Sequence, residues 1–123
     1  LIQKIHAAAG EIEVHGDGTQ ERDFSHSADI VAAFLAAAER AAFQGEAMNV
    51  GGGEVVSIRE LVERICASMN RSLCIRFTGR MRPGESQRWL ADTSMIRSLG
   101  FTPRVGLAGG LRDTIDWYLR QPR

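Results

Sequence analysis

The chain has 123 residues, a mass of 13.5 kDa, 44% hydrophobic side chains and 24% charged ones. This is the composition of one globular domain, and no stretch is apolar for long enough to span a membrane. Fifteen basic residues balance fifteen acidic ones, so a broad surface for nucleic acid is not indicated. Because no signal peptide is visible and the two cysteines lack metal or redox spacing, we expect a cytoplasmic chain without a metal site.

The first half of the chain predicts a helix, a strand, a turn and a second helix. The opening helix ends near Gly10. The chain starts with Leu1 and not with methionine, and the apolar face of this helix begins at that first residue. We therefore expect a longer protein upstream. Alternation of Ile12 and Val14 with glutamates predicts a half-buried strand, followed by a turn at residues 16–18 and a short strand or ordered loop at 20–24. Asp29 is predicted to cap the second helix. The apolar positions of that helix are Ile30, Val31, Phe34, Leu35 and Ala38.

The second half predicts further short strands between helices. Its expected elements are a strand over 47–50, a helix from a Ser57 and Glu60 capping box, strands over 73–77 and 88–91, a short helix from Asp92 to Gly100, and a last helix from Leu107. The order of these elements indicates a mixed α/β fold of helices and short strands in a single unit, residues 1–123.

Two local patterns each allow two interpretations. Gly51, Gly52 and Gly53 after a strand are compatible with a dinucleotide phosphate loop, but position 56 is Val56 where a further glycine is needed, which favours a simple turn. Asp23, His26 and Asp29 could form an acid/base cluster. We favour structural roles for all three, with Asp29 as the helix cap.

Arginine is the residue type that points to binding. A guanidinium fork can hold a diphosphate through paired, charge-assisted hydrogen bonds. Arg22 and Arg82 lie in two separate polar segments, where they could converge on one anion. On their spacing alone, we favour the interpretation that both are solvated surface residues.

One longer motif and six later ones, in this order along the chain, together resemble one family. The longer motif is Gly16-Asp17-Gly18-Thr19-Gln20-Glu21-Arg22-Asp23-Phe24-Ser25-His26, followed by Asp29. The six later motifs are Asn49-Val50-Gly51-Gly52-Gly53, Ser57-Ile58-Arg59-Glu60-Leu61, Arg82-Pro83-Gly84-Glu85, Ala91-Asp92-Thr93-Ser94, Leu99-Gly100-Phe101-x-Pro103 and Gly110-Leu111-x-x-Thr114-Ile115-x-Trp117-Tyr118. The pattern is similar to the C-terminal part of the NAD-dependent epimerase/dehydratase family, the extended short-chain dehydrogenase/reductases, which includes UDP-glucose 4-epimerase. The resemblance covers nearly the whole chain.

The resemblance implies a nucleotide-sugar site. Arg22 and Arg82 would hold the two phosphates of a UDP- or dTDP-sugar, and Glu85 would accept a hydrogen bond from a ribose hydroxyl. The strand ending in Val14 and His15 would meet the base, although His15 stands where family members often have an aromatic residue. Arg88 is a further, weaker candidate for the same pocket.

The resemblance also implies what this chain lacks. In the family an N-terminal Rossmann domain binds NAD, and a Tyr-x-x-x-Lys pair transfers the proton. The only tyrosine here is Tyr118 and the only lysine is Lys4, so we expect no catalytic residue and no bound cofactor in this chain alone.

Two functions from different classes follow. The chain is either the substrate-binding part of an NAD-dependent nucleotide-sugar epimerase or dehydratase, or a noncatalytic binding module derived from that fold. Epimerase and dehydratase are not separated by the sequence. In the absence of the N-terminal domain, we expect the face of the second helix to be exposed and the chain to form a homodimer or otherwise self-associate.

Overall fold

The computed structural model describes residues 1–122, which form five helices and five short strands. The elements, in chain order, are α1 (Ile2–Ala7), β1 (Glu11–Val14), β2 (Glu21–Asp23), α2 (Ser27–Arg40), β3 (Val55–Ser57), α3 (Ile58–Ser68), β4 (Cys74–Phe77), β5 (Arg88–Trp89), α4 (Ser94–Ser98) and α5 (Leu107–Arg120). The predicted mixed α/β fold is therefore confirmed. No helix within residues 1–122 combines the length and apolarity needed to cross a bilayer.

The strands form two small sheets. β1 pairs in parallel with β4, from Glu11 opposite Cys74 to Val14 opposite Phe77. In the other sheet β2 is central, antiparallel to β3 and parallel to β5. Because β4 and β5, the parallel partners of β1 and β2, both come from the second half of the chain, the sheets bring distant loops together.

The main core lies between the first sheet and three helices. Its apolar side chains come from α1, β1, α3 and α5, with β4 packed at its edge. The buried members are Ile5, Ile12, Val14, Leu61, Val62, Ile65, Cys66 and Ile115. A smaller cluster of Ala33, Ile96 and Phe101 joins α2 to α4. Phe101 follows Gly100 and folds back onto α4, where it packs in this smaller cluster.

The helix α3 begins as its sequence predicts. The Ser57 hydroxyl oxygen accepts a hydrogen bond from the Glu60 N–H at 3.1 Å, which satisfies one of the free donors of the first turn. The Glu60 carboxylate does not accept a hydrogen bond from the Ser57 N–H, as a full capping box would require. It accepts one from the Arg64 side chain at 2.7 Å instead. One cap and the buried face of α3 suffice to fix the helix start.

The predicted strand over residues 47–50 is wrong. These residues carry no strand ladder in the described chain, and Met48 and Val50 pack instead against the smaller cluster. β3, which the sequence analysis did not predict, forms directly before α3 because it pairs antiparallel with β2. A three-residue strand is too short for an alternating pattern to show.

The two cysteines are predicted to differ in reactivity. Cys66 is buried on α3 and Cys74 is exposed on β4, and both are free thiols. Burial raises the pKa of the Cys66 thiol, so little reactive thiolate forms there at mild pH. At pH 8 we expect one fast-reacting thiol per chain with a chromogenic disulfide reagent, and a second only after unfolding. Cys74→Ser should abolish the fast reaction, and equal rates for both thiols in the native chain would contradict this assignment.

Candidate functional site

A polar loop over residues 78–87 is anchored on the turn before β2. The Gly79 N–H donates to the Gly16 carbonyl at 2.9 Å, and the Gly16 N–H donates to the Thr78 hydroxyl at 3.1 Å. At the other end, the Gln87 side-chain amide donates to the Thr19 hydroxyl at 2.6 Å. Both ends of the loop are therefore fixed to one turn.

The turn itself depends on two glycines and one carboxylate. Gly16 and Gly18 both have φ of +85°, and a Cβ at Gly18 would lie 2.5 Å from the Phe77 ring, so larger residues are excluded there. The Asp17 carboxylate accepts hydrogen bonds from the Thr19 N–H and hydroxyl at 2.8 and 2.7 Å. These bonds lower the pKa of Asp17, so its carboxylate remains an acceptor to lower pH than that of an unbonded aspartate. The predicted turn is confirmed.

Within the loop, Arg82, Pro83, Gly84 and Glu85 form a tight β-turn. The Glu85 N–H donates to the Arg82 carbonyl at 3.0 Å, and Gly84 has φ of +79°. Proline at the second position and glycine at the third are the residues that a type II turn requires. The turn holds the backbones of Arg82 and Glu85 close together, and the Arg82 side chain has no ion-pair partner within residues 1–122.

Arg22 on β2 joins this loop to the sheet. Its Nη2 lies 3.3 Å from Glu85 Oε1, with the two side chains 18% and 28% exposed. Its Nη1 donates to the Glu21 carbonyl at 2.7 Å. The structure therefore brings together Arg22 and Glu85, two of the predicted site residues, from positions far apart in the sequence.

Trp89 is a site residue that the sequence analysis missed. The Arg22 guanidinium lies 5.1 Å from the centre of the Trp89 ring, within the range of a cation–π contact. Trp89 sits directly opposite Arg22 in the parallel pairing of β2 with β5. The only signal in the sequence was an aromatic residue in the predicted 88–91 strand. Its contact with Arg22 could not be predicted, because it depends on the register between β2 and β5.

Arg88 does not join Arg22. The pairing places Arg88 opposite Glu21, and neighbouring residues of a strand point to opposite faces of the sheet. Arg88 Nε lies 3.2 Å from Glu21 Oε2. Arg88 is therefore engaged on the other face of the sheet from the Arg22 and Glu85 pair.

Val14 and His15 have different exposures at the end of β1. Val14 is 5% exposed and packs in the main core, so its side chain is not available to a ligand. His15 is exposed and directly precedes Gly16, the residue that anchors the 78–87 loop. Of these two predicted residues, only His15 offers a side chain near the loop.

The glycine run is used internally. The Gly52 and Gly53 N–H groups donate to Asp23 Oδ1 at 2.8 and 3.1 Å. A Cβ at Gly52 would lie 2.1 Å from the Phe24 carbonyl oxygen. The glycines therefore allow a close approach to β2, and the geometry fits the turn interpretation rather than a phosphate loop.

His26 and Asp29 also have structural partners, although not the ones predicted. His26 is the residue that caps α2, where its Nδ1 accepts a hydrogen bond from the Ala28 N–H at 3.3 Å. The prediction that Asp29 caps this helix is wrong. Its buried carboxylate accepts hydrogen bonds from the Arg104 and Val105 N–H groups at 2.9 and 3.0 Å, and so joins α2 to the segment before α5.

A second concave surface lies apart from these residues. It has a volume of about 430 Å³ between the starts of α1 and α5, and its lining is mainly apolar, with Phe24, Leu61 and Leu107 among it. Such a surface does not suit a charged ligand. No group of three His, Cys, Asp or Glu side chains in the described part of the chain could hold a metal ion.

Residues 1–51 match the sequence model of the NAD dependent epimerase/dehydratase family. A putative GDP-L-fucose synthase from Oryza sativa subsp. japonica is 35% identical over 125 residues, which cover 98% of this chain and 35% of that protein. A dTDP-4-dehydro-6-deoxy-D-allose reductase from Streptomyces sp is 39% identical over 111 residues, which cover 90% of this chain and 33% of that protein.

Solved structures show the same fold. MoeE5 in complex with UDP-glucuronic acid and NAD is 35% identical, with a TM-score of 0.82 over 96% of this chain and 40% of that one. A UDP-N-acetylglucosamine 4-epimerase from Methanobrevibacter ruminantium, in complex with UDP-N-acetylmuramic acid, is 28% identical, with a TM-score of 0.85 over 98% of this chain and 38% of that one. The chain spans little more than a third of the length of these relatives.

Proposed function

Because this chain belongs to the NAD-dependent epimerase/dehydratase family, we propose that it holds the nucleoside diphosphate of a nucleotide sugar. Arg22 and Arg82 bind the two phosphates, and Glu85 accepts a hydrogen bond from a ribose hydroxyl. His15 and the backbone at the end of β1 contact the base. The observation that carries this proposal is the 3.3 Å contact of Arg22 with Glu85, which assembles charged groups from a strand and a loop that are far apart in the sequence.

A diphosphate needs donors that neutralise its charge and fix its orientation. Two guanidinium groups, one on β2 and one on the 78–87 loop, supply both. The names of the relatives include UDP-, dTDP- and GDP-linked sugars. We therefore extend the expected ligands from UDP- and dTDP-sugars to GDP-sugars.

An NMR titration with UDP, dTDP and GDP tests this proposal. We expect at least one of them to shift the backbone amides of residues 21–22 and 82–85. The sugar-free nucleotides should bind about as well as nucleotide sugars, because the expected contacts are to the diphosphate and the ribose. No shift at either segment with any of the three nucleotides would refute the proposal.

We propose further that NAD and the hydride chemistry belong to a part of the protein outside residues 1–123. The residues present do not fit NAD, since Asp23 occupies the Gly52 and Gly53 N–H groups. Tyr118 contacts His6 edge-to-face, with ring centres 5.7 Å apart, and is not paired with Lys4. The whole protein would oxidise a sugar hydroxyl with NAD and return the hydride after the sugar has changed. Two free cysteines suit the reducing cytoplasm as its compartment.

Self-association of the chain is expected from an exposed apolar face. Phe34 on α2 is 72% exposed beside Val31 and Leu35, and Phe43 in the following loop is 75% exposed. Residues 47–50 next to them have no strand partner in the described chain. Soluble monomers rarely leave such a patch uncovered, and a segment without a strand partner is open to pairing with another chain.

Light scattering at micromolar concentration tests this expectation. We expect a mass above that of the 13.5 kDa chain. Phe34→Glu should shift the population toward the monomer, because a buried charge opposes the association. Lys4→Glu, which introduces the same acidic group on α1, is the control and should leave the mass unchanged. A monodisperse monomer with an ordered Phe34 face would contradict the argument.

A further inference from the structure

The Glu85 carboxylate already contacts the Arg22 guanidinium group that the diphosphate is expected to bind. Arg22 Nη2 faces Glu85 Oε1 at 3.3 Å, Arg22 Nη1 is held by the Glu21 carbonyl at 2.7 Å, and the face of the guanidinium lies against Trp89. The guanidinium is therefore held by three neighbours. An anion that binds Arg22 must replace Glu85 or lie beside its negative charge.

The loop limits how far Glu85 can retreat. The β-turn at residues 82–85 is closed by the Glu85 N–H bond to Arg82, and Pro83 fixes its backbone. The loop is also tied at both ends to the turn before β2. A bound phosphate would thus keep a carboxylate as its neighbour, and two like charges at short distance repel each other.

The repulsion is offset only if the ligand supplies a donor. An ionised carboxylate accepts hydrogen bonds and donates none, so a hydroxyl group on the same ligand can restore the bond that Glu85 loses. Inorganic pyrophosphate has no sugar hydroxyl, and any O–H group that it carries lies on the charged phosphates that Glu85 repels. A nucleoside diphosphate has one on its ribose, at a short covalent distance from the phosphates.

We propose that Glu85 is a specificity-determining residue that rejects phosphate compounds lacking a sugar hydroxyl, by competing with them for Arg22. This inference rests on the proposed function and deepens it. It gives Glu85 a second, negative role in addition to contact with the ribose. Specificity of this kind needs a repulsive element as well as an attractive one.

The test compares nucleotide with inorganic pyrophosphate in two proteins. In the wild type we expect whichever of UDP, dTDP and GDP binds most tightly to exceed pyrophosphate by at least about tenfold in calorimetric affinity. Glu85→Gln should raise the affinity for pyrophosphate by about threefold to tenfold, the range for loss of one partly exposed competing charge. The same substitution should weaken nucleotide binding, so the ratio of the nucleotide affinity to the pyrophosphate affinity should fall.

Fluorescence supplies a local readout. With Trp117→Phe, Trp89 is the only tryptophan, and its contact with Arg22 should make its emission respond to both ligands. Pyrophosphate binding without a Trp89 response would place the anion elsewhere and overturn the proposal.

Glu21→Gln is the matched control. It removes the same carboxylate charge from the residue next to Arg22, but Glu21 pairs with Arg88 at 3.2 Å on the opposite face of the sheet. Both affinities should stay within about twofold of wild type, since that pair does not face the ligand. If Glu85→Gln leaves pyrophosphate affinity unchanged while nucleotide still binds the wild type, the inference fails and the proposed function stands. If no nucleotide binds the wild type, both fail.

Discussion

Replacing Arg22 by alanine is expected to weaken binding of the nucleoside diphosphate by about tenfold to a hundredfold, or about 1.5 to 3 kcal/mol. Arg22 has the largest expected contribution because Glu85, Trp89 and the Glu21 carbonyl already orient its guanidinium. A group held in place before binding loses little conformational freedom when the ligand arrives. Calorimetric titration of the variant with the nucleotide that binds the wild type measures the loss.

Two further variants separate charge from geometry at this position. Arg22→Lys keeps the positive charge but loses the planar fork, so its affinity should lie between those of the wild type and Arg22→Ala. Arg88→Ala removes a guanidinium from the other face of the sheet and should change affinity by less than about twofold. An equal loss in Arg22→Ala and Arg88→Ala would indicate a general charge effect and contradict the assigned site.

Replacing Asp29 by alanine is expected to lower the free energy of unfolding by about 3 kcal/mol, the largest effect that we predict on stability. Asp29 is 4% exposed, and each of its carboxylate oxygens accepts a backbone N–H before α5. Alanine would leave both N–H groups without their acceptor at a site with little access to water. Urea denaturation followed by circular dichroism measures the change.

Asp92 supplies the matched control for this substitution. Its exposed carboxylate also accepts a backbone N–H, that of Ser94, at 2.9 Å. Asp92→Ala should lower the free energy of unfolding by about 1 kcal/mol or less, because water can replace the lost acceptor. A similar cost for both variants would mean that the link between α2 and the segment before α5 contributes little.

Helices and turns that depend on residues close together in the chain could be predicted from the sequence. α3 begins at Ser57 because the hydroxyl cap and the apolar spacing both lie within a few residues. The same reasoning fails for Asp29, which has the right type and position for a cap but binds N–H groups 75 and 76 residues away. His26, a less favoured capping residue, takes that place. Distant N–H donors are not visible in a local pattern.

Strand prediction failed for a related reason. Residues 47–50 have the composition of a buried strand, but a strand also needs a neighbour, and the described chain offers them none. Val55 to Ser57 form one because β2 lies alongside. Composition indicates which residues tolerate an extended backbone, whereas pairing decides which of them form a ladder.

The candidate site was predictable only in part. Spacing alone could not bring Arg22 to Glu85. The resemblance to a family implied that both belong to one site, but their contact appears only in the structure. Trp89 and Arg88 are adjacent in sequence, yet the register of β5 sends one to Arg22 and the other to Glu21. A shift of one residue in that register would exchange them.

The pairing of β1 with β4 and of β2 with β5 also has a consequence for the time course of folding. Each pair joins residues more than half the chain apart, and both pairings are parallel, so neither can start from a hairpin. The chain must close these long loops before either contact lowers its free energy, which slows the rate-limiting step. We therefore expect α3 to acquire structure early and the Arg22 and Glu85 contact to form last, when refolding is followed by rapid mixing.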